Sequence, residues 1–273
     1  MVLINGVENA ALSAVDRGLA YGDGIFRTLP ARNRVPQHWP RHYAKLASDC
    51  AAIGMQCPDA ALLGPEIVRV CELDPDSAIK VIVTRGVSSR GYRYEQDAEP
   101  TRIVMSSPLP GYPQSYADTG VRVRRCRVRL AQQPALAGIK HLNRLENVLA
   151  RAEWSDAEIA EGILSDTDGN VIGGTMTNIF LARAGALATP SLDRCGVAGV
   201  TRERVIQAAS DCGVRCATTR ISWGDVVDAD EVILVNSIAG AWPVCELEGR
   251  ARSVGPVARA VQHWLRQDDE QVA

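Results

Sequence analysis

The sequence lacks a strong net charge and any long hydrophobic run. Its 30 Lys and Arg residues nearly balance 32 Asp and Glu residues, which leaves a formal net charge of −2. A chain this close to neutrality has no overall electrostatic field that would attract nucleic acid or an anionic membrane surface. No apolar stretch approaches the roughly 20 residues of a membrane-spanning helix. The first residues also lack the basic and apolar segments of a signal peptide, so we expect a cytoplasmic protein.

The cysteines form no Cys-x-x-Cys pair. Eight of them are scattered through 273 residues, a distribution typical of reduced cytoplasmic thiols and not of a disulfide scaffold. Cys212 and Cys216 are close in sequence, but two thiols with no nearby histidine make a poor zinc site. We therefore expect no bound metal. A complete Walker motif is absent as well, so the sequence does not predict a loop that binds a nucleoside triphosphate.

The length of 273 residues is about twice that of a typical domain, so we expect two domains. The stretch 108–113, rich in proline, is the clearest candidate linker. We predict an N-terminal domain over residues 1–107, a linker over 108–119 and a C-terminal domain over 120–273. Hydrophobic periodicity predicts helices at 40–53, 60–73 and 256–266, and strands at 2–4, 25–31, 78–84, 101–107, 121–124, 162–165, 177–182 and 231–235.

The stretch from Leu136 to Asn147 places Lys140 after a small, apolar approach and just before a predicted helix. Desolvation disfavours the ammonium form, so a lysine in partly apolar surroundings has a lowered pKa. A neutral lysine amine is the nucleophile that Schiff-base chemistry requires. A solvated surface charge is the more common role of a lysine near a helix start, so this pattern alone leaves both interpretations open.

Three further segments gather groups that suit an anionic ligand. Loop 84–94 carries arginines, glycines and tyrosines after a predicted strand, and it either clamps a carboxylate or forms a solvated hairpin. Segment 196–203 leads into a helix, where free N–H groups and the Thr201 hydroxyl either bind an anion or cap the helix. Segment 236–240 places small polar residues at the end of another predicted strand.

Five motifs together carry a family resemblance: Tyr21-Gly22-Asp23-Gly24-Ile25-Phe26-Arg27-Thr28; Thr84-Arg85-Gly86 with Arg90-Gly91-Tyr92; Gly138-Ile139-Lys140-His141-Leu142-Asn143-Arg144-Leu145-Glu146; Gly199-Val200-Thr201-Arg202; and Asn236-Ser237-Ile238. They resemble the class IV aminotransferase-like family of fold-type IV pyridoxal-phosphate proteins and, within it, the aminodeoxychorismate lyases. The Lys140 motif is the most specific and favours the lyases over their transaminase relatives. The resemblance implies a two-domain α+β fold, with a smaller N-terminal α/β sandwich and a larger C-terminal pseudo-barrel that binds the cofactor.

The resemblance also implies roles around pyridoxal 5′-phosphate and the substrate 4-amino-4-deoxychorismate. Lys140 would form the Schiff base with the cofactor and act as general base, with Thr28 as a second catalytic residue. The products would be 4-aminobenzoate and pyruvate, a step of folate biosynthesis, and the protein would be a homodimer without nucleic-acid or membrane partners. The remaining implied residues bind the cofactor (Lys45, Arg144, Val200, Thr201, Ser237 and Ile238) or the substrate (Arg90, Tyr92 and Asn236).

Two positions depart from the family pattern. Lys45 stands where the family usually has a phosphate-binding arginine, which keeps the charge but loses the bidentate fork. Gly173 stands where the family usually has a glutamate that keeps the cofactor's ring nitrogen protonated. A weaker electron sink should slow transamination more than a lyase reaction that ends in an aromatic ring.

Two other functions stay open. One is a D-amino-acid or branched-chain aminotransferase, which would form a keto acid and need an amino acceptor. The other is a pyridoxal-phosphate binding protein with lost or reduced catalysis, for which Gly173 is the motivating feature.

Overall fold

The structure, a computed structural model, describes residues 1–95 and 97–271. The chain divides into two compact units. The first contains residues 1–110 and 139–143, and the second contains residues 111–138 and 144–271. Each unit combines helices with a sheet, as the predicted α+β class requires. None of the described helices has both the length and the hydropathy needed to cross a membrane.

The first unit is built on a six-stranded antiparallel sheet with strand order β2-β1-β6-β5-β3-β4. Strands β3 and β5 pair along eight residue positions, from Gly24 opposite Thr84 to Ala31 opposite Ser77. The elements of this unit are β1 (Val2–Ile4), β2 (Val7–Glu8), α1 (Arg17–Tyr21), β3 (Gly24–Arg32), β4 (Val35–Pro36), α2 (Trp39–Ala52), α3 (Ala60–Leu73), β5 (Ser77–Thr84) and β6 (Thr101–Pro108).

Helices α2 and α3 supply the apolar partner for one face of this sheet. Pro40 stands in the first turn of α2, where its missing N–H costs no hydrogen bond. The Asp59 side chain caps α3 by accepting a hydrogen bond from the Ala61 N–H at 2.8 Å. Burial alternates along β3. Leu29 and the residues two positions before and after it face the helices, whereas Phe26 and Thr28 face the other way. The helix-free face therefore carries Phe26 and Thr28, and the helix-covered face carries Leu29 together with the buried Arg27.

The second unit contains a nine-stranded sheet with order β12-β11-β10-β13-β14-β7-β8-β9, and β15 pairs with β14. The pairs β11–β12, β14–β7 and β7–β8 are parallel, and the others are antiparallel. Its elements are α4 (Ser115–Asp118), β7 (Val121–Leu130), a 3₁₀ turn (Pro134–Leu136), α5 (Leu145–Arg151), β8 (Ile159–Asp166), β9 (Val171–Gly174), β10 (Asn178–Arg183), β11 (Ala186–Pro190), α6 (Val200–Asp211), β12 (Cys216–Thr219), α7 (Trp223–Asp228), β13 (Glu231–Asn236), β14 (Gly240–Leu247), β15 (Arg250–Ala251) and α8 (Pro256–Glu270).

The central strands of this sheet are buried on both faces. On β10, Phe180 packs in the cluster that contains residues of α6 and α8, whereas Ile179 packs in the opposite cluster with Val226 of α7. A strand that is covered on both faces has apolar residues at successive positions. For this reason Glu231–Asn236 contains four consecutive apolar residues.

The structure differs from the sequence predictions in several places. Segment 139–143, which we assigned to the C-terminal domain, hydrogen bonds to β3 and groups with the first unit. Strands β9, β11, β12 and β14 were not among the predicted strands.

A buried carboxylate fixes the turn between β9 and β10. Glu161 on β8 has no exposed surface, and its oxygens accept hydrogen bonds from the N–H groups of Gly162, Thr175 and Met176 at 2.9–3.1 Å. The hydroxyls of Thr175 and Thr177 donate to it at 2.5 and 3.0 Å. Five donors compensate this carboxylate for its lost hydration.

We expect Glu161→Gln to destabilise the second unit by about 3 kcal/mol, because the new NH₂ group would face donors instead of accepting from them. The midpoint and slope of urea unfolding would measure the loss. Glu158→Gln, an exposed change in the loop before β8, is the matched control and should leave the midpoint unchanged. Equal midpoints for both variants would contradict the role given to Glu161.

Candidate functional site

Lys140 is held beside β3 by main-chain hydrogen bonds. The Phe26 N–H donates to the Lys140 carbonyl oxygen at 3.0 Å, and the Leu142 N–H donates to the Gly24 carbonyl oxygen at 2.9 Å. Residues Ile25 and His141 form an antiparallel bridge in the same place. Segment 139–143 thus follows the edge of β3 as a short extra strand, which fixes the direction in which the lysine leaves the main chain.

The carboxylate of Asp49 holds the main chain of Lys140 in place. The Asp49 side chain is almost fully buried in α2, and its Oδ2 accepts a hydrogen bond from the Lys140 N–H at 3.0 Å. The guanidinium of Arg27, itself buried, donates to the same oxygen, and Lys45 Nζ lies 3.1 Å from Oδ1. Burial of a charged pair is unfavourable unless the geometry satisfies both partners. Here one carboxylate orients both a main-chain segment and two cations.

The ammonium groups of two lysines approach the same ring on the helix-free face of the sheet. Lys140 Nζ lies 4.6 Å from the Phe26 ring centre, and Lys80 Nζ lies 4.9 Å from it. The register of β3 and β5 places Lys80 directly opposite Thr28. Two positive charges beside a hydroxyl and an aromatic ring suit an anionic ligand with an apolar body.

A second charged cluster holds loop 84–94. Asp23 Oδ2 accepts hydrogen bonds from Arg17 Nε and Arg85 Nε, both at 2.8 Å. Burial by itself would raise the pKa of Asp23, but the hydrogen bonds and charges of Arg85 and Arg17 outweigh it and hold that pKa below its ordinary value. The other nitrogens of Arg17 donate to the Ser88 hydroxyl and the Gly91 and Tyr92 carbonyl oxygens at 2.9–3.1 Å. One aspartate therefore anchors the whole loop.

The substrate-side residues predicted in this loop point to solvent. Arg90 and Tyr92 are exposed, and 86% of the Tyr92 surface is accessible. The Tyr92 ring lies 5.5 Å from the Tyr21 ring. Arg85, by contrast, is buried, donates to the Ile53 and Gly54 carbonyl oxygens, and stacks 3.8 Å from the Tyr94 ring centre. The loop thus uses Arg85 internally and presents Arg90 outward.

In the second unit, the start of α6 has the features of an anion site. Gly199 is its N-cap and supplies no capping side chain, so the first N–H groups of the helix, those of Val200 and Thr201, lack an intrahelical partner. The Asn178 side chain fixes this turn through Val197 O and the Gly199 N–H, at 2.7 and 3.2 Å. The Thr201 hydroxyl lies 3.1 Å from the Ser237 hydroxyl.

The neighbouring segment 236–239 is shaped by Asn236. Its Oδ1 accepts from the Ile238 and Ala239 N–H groups at 2.9 and 2.7 Å, and its Nδ2 donates to the Met176 carbonyl oxygen at 3.4 Å. This side chain therefore links the end of β13 to the turn that Glu161 holds. Arg144, another predicted binding residue, precedes the first residue of α5.

Position 173 has no carboxylate and no room for one in the present backbone. A Cβ atom built on Gly173 would lie 2.8 Å from the Thr177 carbonyl oxygen. At Gly174 it would lie 2.1 Å from the Thr177 hydroxyl. Both distances are shorter than real contacts, so the turn closes over this position. Within residues 1–95 and 97–271, no group of three His, Cys, Asp or Glu residues could hold a metal ion.

The comparisons with known proteins agree with this geometry. Residues 24–247 match the family model of amino-transferase class IV. The chain belongs to the class IV aminotransferase family. It is 31% identical over 244 residues to an aminodeoxychorismate lyase from Vibrio harveyi, covering 89% of this chain and 90% of that protein. It is 30% identical over 267 residues to a putative branched-chain-amino-acid aminotransferase from Methanocaldococcus jannaschii, covering 95% and 91%.

The crystal structure of 4-amino-4-deoxychorismate lyase from Pseudomonas aeruginosa is similar throughout. It has 45% sequence identity and a TM-score of 0.94, and the match covers 98% of this chain and 99% of that one. The similarity confirms the predicted fold type and the family resemblance.

Each unit has one feature that suits a phosphorylated aldehyde cofactor. In the first, Lys140 supplies an amine on a main chain fixed by Asp49. In the second, the start of α6 supplies N–H groups without a capping side chain. Gly173, where the resemblance implies a glutamate, has no side chain, and a Cβ atom there would collide with the Thr177 carbonyl oxygen.

Sequence reasoning missed several residues that organise these sites. Asp49, Arg27, Asp23 and Arg17 are ordinary charged residues in sequence, and their partners are distant along the chain. One signal was available for Lys80. The sequence contains only three lysines, Lys45, Lys80 and Lys140, and all three lie in the first unit.

We expect Asp23→Asn to lower the unfolding free energy at pH 7 by about 1–3 kcal/mol, because Arg17 and Arg85 lose a charged partner. A carboxyl whose folded pKa is depressed stabilises the protein above its unfolded pKa of about 3.9, and this contribution disappears as the pH falls through the folded pKa. Urea unfolding of wild type and variant should therefore differ by a constant amount from pH 7 to about 5 and converge below about pH 4.

The exposed change Asp97→Asn in the same loop region is the control. It should follow the wild-type stability at every pH. A gap between Asp23→Asn and wild type that persists at low pH would contradict the ionic origin of the effect.

Proposed function

We propose that this class IV aminotransferase homologue is a pyridoxal-phosphate-dependent lyase that converts 4-amino-4-deoxychorismate to 4-aminobenzoate and pyruvate for folate biosynthesis. The observation that carries the proposal is Lys140, whose main chain is fixed by Phe26 and Asp49 while its amine lies over an aromatic ring. Two relatives at 31% and 45% identity bear the name of this lyase.

The reaction is a carbon–oxygen elimination that needs no second substrate. Pyridoxal phosphate joined to the substrate amine would withdraw electrons from the carbon that carries this amine. Lys140 Nζ takes the proton from ring carbon C4 as general base. The bond between C3 and the enolpyruvyl oxygen breaks, the departing enolpyruvate takes up a proton and becomes pyruvate, and the six-membered ring becomes aromatic. Atoms balance between one substrate and two products.

Lys140 suits this task because its orientation is set before any ligand arrives. The Asp49 carboxylate and the Phe26 N–H fix both sides of the Lys140 peptide unit, so the side chain loses little further freedom when it acts. The ring of Phe26 covers one side of the amine and limits its hydration. Thr28, two residues further along the same face of β3, is the candidate second catalytic residue.

The cofactor's phosphate group would be held by main-chain N–H groups of Val200 and Thr201 at the start of α6, with the Thr201 and Ser237 hydroxyls adding donors. Ile238 is a further family position, although its N–H already donates to Asn236. Lys45 and Arg144 are the candidate cationic residues, and Lys45 lies in an ion pair with Asp49.

The substrate carries two carboxylates, and the candidate cations for them are Arg90 and Lys80. Arg90 lies on the loop that Arg17 anchors, together with Tyr92. Lys80 faces the same side of the sheet as Thr28 and makes no ion pair within the described residues. Asn236 completes the predicted substrate residues. A substrate with two negative charges matches this arrangement better than a monocarboxylate does.

Gly173 favours the lyase over the aminotransferase. Transamination depends on a long-lived carbanion and hence on a protonated ring nitrogen, whereas elimination is driven by formation of an aromatic product. The closed turn at Gly173 would supply no carboxylate to the ring nitrogen of a bound cofactor.

We propose that the protein works as a cytoplasmic homodimer. Helix α5 presents Leu145, Val148 and Leu149 on one face, and each is more than half exposed. Apolar residues at i, i+3 and i+4 form a contiguous patch of the kind that subunit interfaces cover. All eight cysteines are free thiols, which fits a reducing compartment.

Pyruvate release tests the proposed function. Purified wild-type protein loaded with pyridoxal phosphate should release pyruvate from 4-amino-4-deoxychorismate without any amino acceptor, and Lys140→Ala should lower the rate by at least about 1000-fold. Borohydride reduction followed by peptide mapping should place the cofactor on Lys140, and the three-lysine sequence makes this assignment unambiguous. Cofactor attachment with keto-acid formation from D-alanine or leucine, and no pyruvate from aminodeoxychorismate, would favour the aminotransferase instead.

Lys80 provides a second test. We expect Lys80→Met to raise KM for aminodeoxychorismate about tenfold or more with a smaller change in kcat, because a carboxylate contact is lost in both ground and transition state. Lys80→Arg retains the charge and should recover most of the affinity. Unchanged KM in Lys80→Met would show that Lys80 does not contact the substrate.

A further inference from the structure

Strand β7 carries five arginines, and two of them have no acidic partner. Arg122, Arg124 and Arg127 pair with glutamates at 2.9–3.7 Å. Arg125 and Arg129 form no ion pair within residues 1–95 and 97–271. The Nε atom of Arg125 and the Nη1 atom of Arg129 are also buried without a hydrogen-bond partner among those residues. Buried donors of charged groups are costly to leave unpaired, so these two arginines require an explanation.

An irregularity in the pairing of β7 with β8 places the two arginines at neighbouring positions of one face. Arg125 lies opposite Ile163 and Arg129 lies opposite Ser165, so four residues of β7 advance along only two residues of β8. Four residues of a regular strand span about 13 Å, whereas two span about 7 Å. The surplus residues of β7 bulge away from the ladder. Because residues paired in a ladder point to the same side, Arg125, Arg129 and Ser165 share one face of the sheet.

This face of the sheet is the one that α7 covers. Ile163 packs in the same apolar cluster as Val226 of α7. The Arg125 guanidinium lies over the ring of Trp223, the first residue of α7, at 4.6 Å from the ring centre. The ring orients the guanidinium but accepts no conventional hydrogen bond from it, so the N–H donors of Arg125 still require an acceptor.

Ser165 contributes a third polar group without a partner. Its side chain has no exposed surface, and its Oγ atom forms no hydrogen bond within the part of the chain that the structure describes. Removing a hydroxyl from water without a compensating hydrogen bond is unfavourable. Three donors that lack acceptors, two of them charged, therefore lie on one face of two adjacent strands.

The carboxylates of β8 are committed to other donors. Asp166 follows Ser165 and points to the opposite face, where its oxygens accept hydrogen bonds from Asn170 and Gln132. Glu161 lies on the same face as Ser165, but it already accepts five hydrogen bonds from residues 162 and 175–177. Strand β8 thus leaves the charges of the two arginines uncompensated.

We propose that Arg125, Arg129 and Ser165 form a binding site for a phosphate dianion, either inorganic phosphate or the phosphate group of a small organic ester. Two guanidiniums match two negative charges, and their N–H groups suit the oxygens of a phosphate. The Ser165 hydroxyl would donate to the same anion. Each arginine is half-buried, so a solute can reach it from the surrounding water.

This site is separate from the start of α6. Helix α6 packs in the apolar cluster on the other face of the sheet, whereas Arg125 and Ile163 lie on the face of α7. The proposed phosphate site therefore does not rest on the proposed function, and it adds an anion site that the lyase reaction does not use.

Calorimetric titration measures the binding. Inorganic phosphate is titrated into the full-length protein at constant ionic strength, once with pyridoxal phosphate reduced onto Lys140 and once without cofactor. One phosphate per chain should bind to the loaded protein with a Kd of about 1 mM or lower. A protein that takes up no cofactor would refute the proposed function, and the titration without cofactor would still test this site.

Variants of β7 assign the binding to its residues. Arg129→Met should weaken phosphate binding at least about tenfold, and Arg129→Lys should recover part of the affinity because it keeps the charge but loses the planar fork. Arg127→Met, a change of an 84% exposed side chain on the same strand, is the matched control and should bind as wild type. Equal phosphate affinity in Arg129→Met and wild type would overturn the proposal.

Other anions identify the chemistry of the ligand. Acetate, with one charge, should bind at least about tenfold more weakly than phosphate. Tighter binding of glycerol 3-phosphate than of inorganic phosphate would identify an organic ester as the source, and equal or weaker binding would identify free phosphate. Acetate that binds as strongly as phosphate would contradict a site for a dianion.

Ser165→Ala distinguishes a ligand contact from a structural role. In phosphate-free buffer this variant should have the Tm of wild type or a higher one, because it removes a buried hydroxyl that has no partner. Phosphate at 10 mM should raise the Tm of wild type by about 3 °C and that of the variant by less than half as much. A lower Tm of the variant without phosphate would show that the hydroxyl already has a partner in the protein. That result, or an equal rise in both proteins, would refute the assigned role of Ser165.

Discussion

The buried Asp49 carboxylate is the constraint on which the first unit's chemistry depends. A charged group in the interior is tolerated only when donors replace its hydration, and here the donors are the Arg27 guanidinium, the Lys45 ammonium and the Lys140 N–H. Because these donors come from β3, α2 and segment 139–143, one carboxylate ties a helix, a strand and the lysine-bearing segment into a single arrangement. The main chain of Lys140 is therefore fixed to the core of the first unit by hydrogen bonds.

The ion pairs around Asp49 and the residues that would contact a ligand lie on opposite faces of the sheet. Alternation along β3 sends Arg27 toward the helices and Phe26 and Thr28 toward the opposite face. The polar residues that stabilise thus lie on one side of the strand, and the groups that would contact a ligand lie on the other. Lys80 joins the second group because its register on β5 places it opposite Thr28. A substitution on one face can alter ligand contacts while leaving the ion pairs of the other face intact.

The sequence predicts local structure well, but it predicts contacts between residues far apart in the chain poorly. Helix α3 runs from Ala60 to Leu73 as its periodicity predicts, and the motif around Lys140 identified the family. Asp49 could not be predicted in the same way, because its partner Lys140 is 91 residues away and nothing in the local pattern links them. Arg85 and Arg90 look equivalent in sequence, yet one is buried against Asp23 and the other is exposed. Only tertiary packing distinguishes residues of the same type in the same loop.

The turn between β9 and β10 shows how the second unit uses the buried carboxylate of Glu161. Glu161 receives five hydrogen bonds from residues 162 and 175–177, so all of its acceptor capacity goes into shaping the turn. Gly173 and Gly174 are required there, because any Cβ would collide with Thr177. A turn closed in this way excludes a carboxylate side chain at position 173. The proposed elimination would depend on such a carboxylate less than transamination would, since much of its driving force resides in the aromatic product.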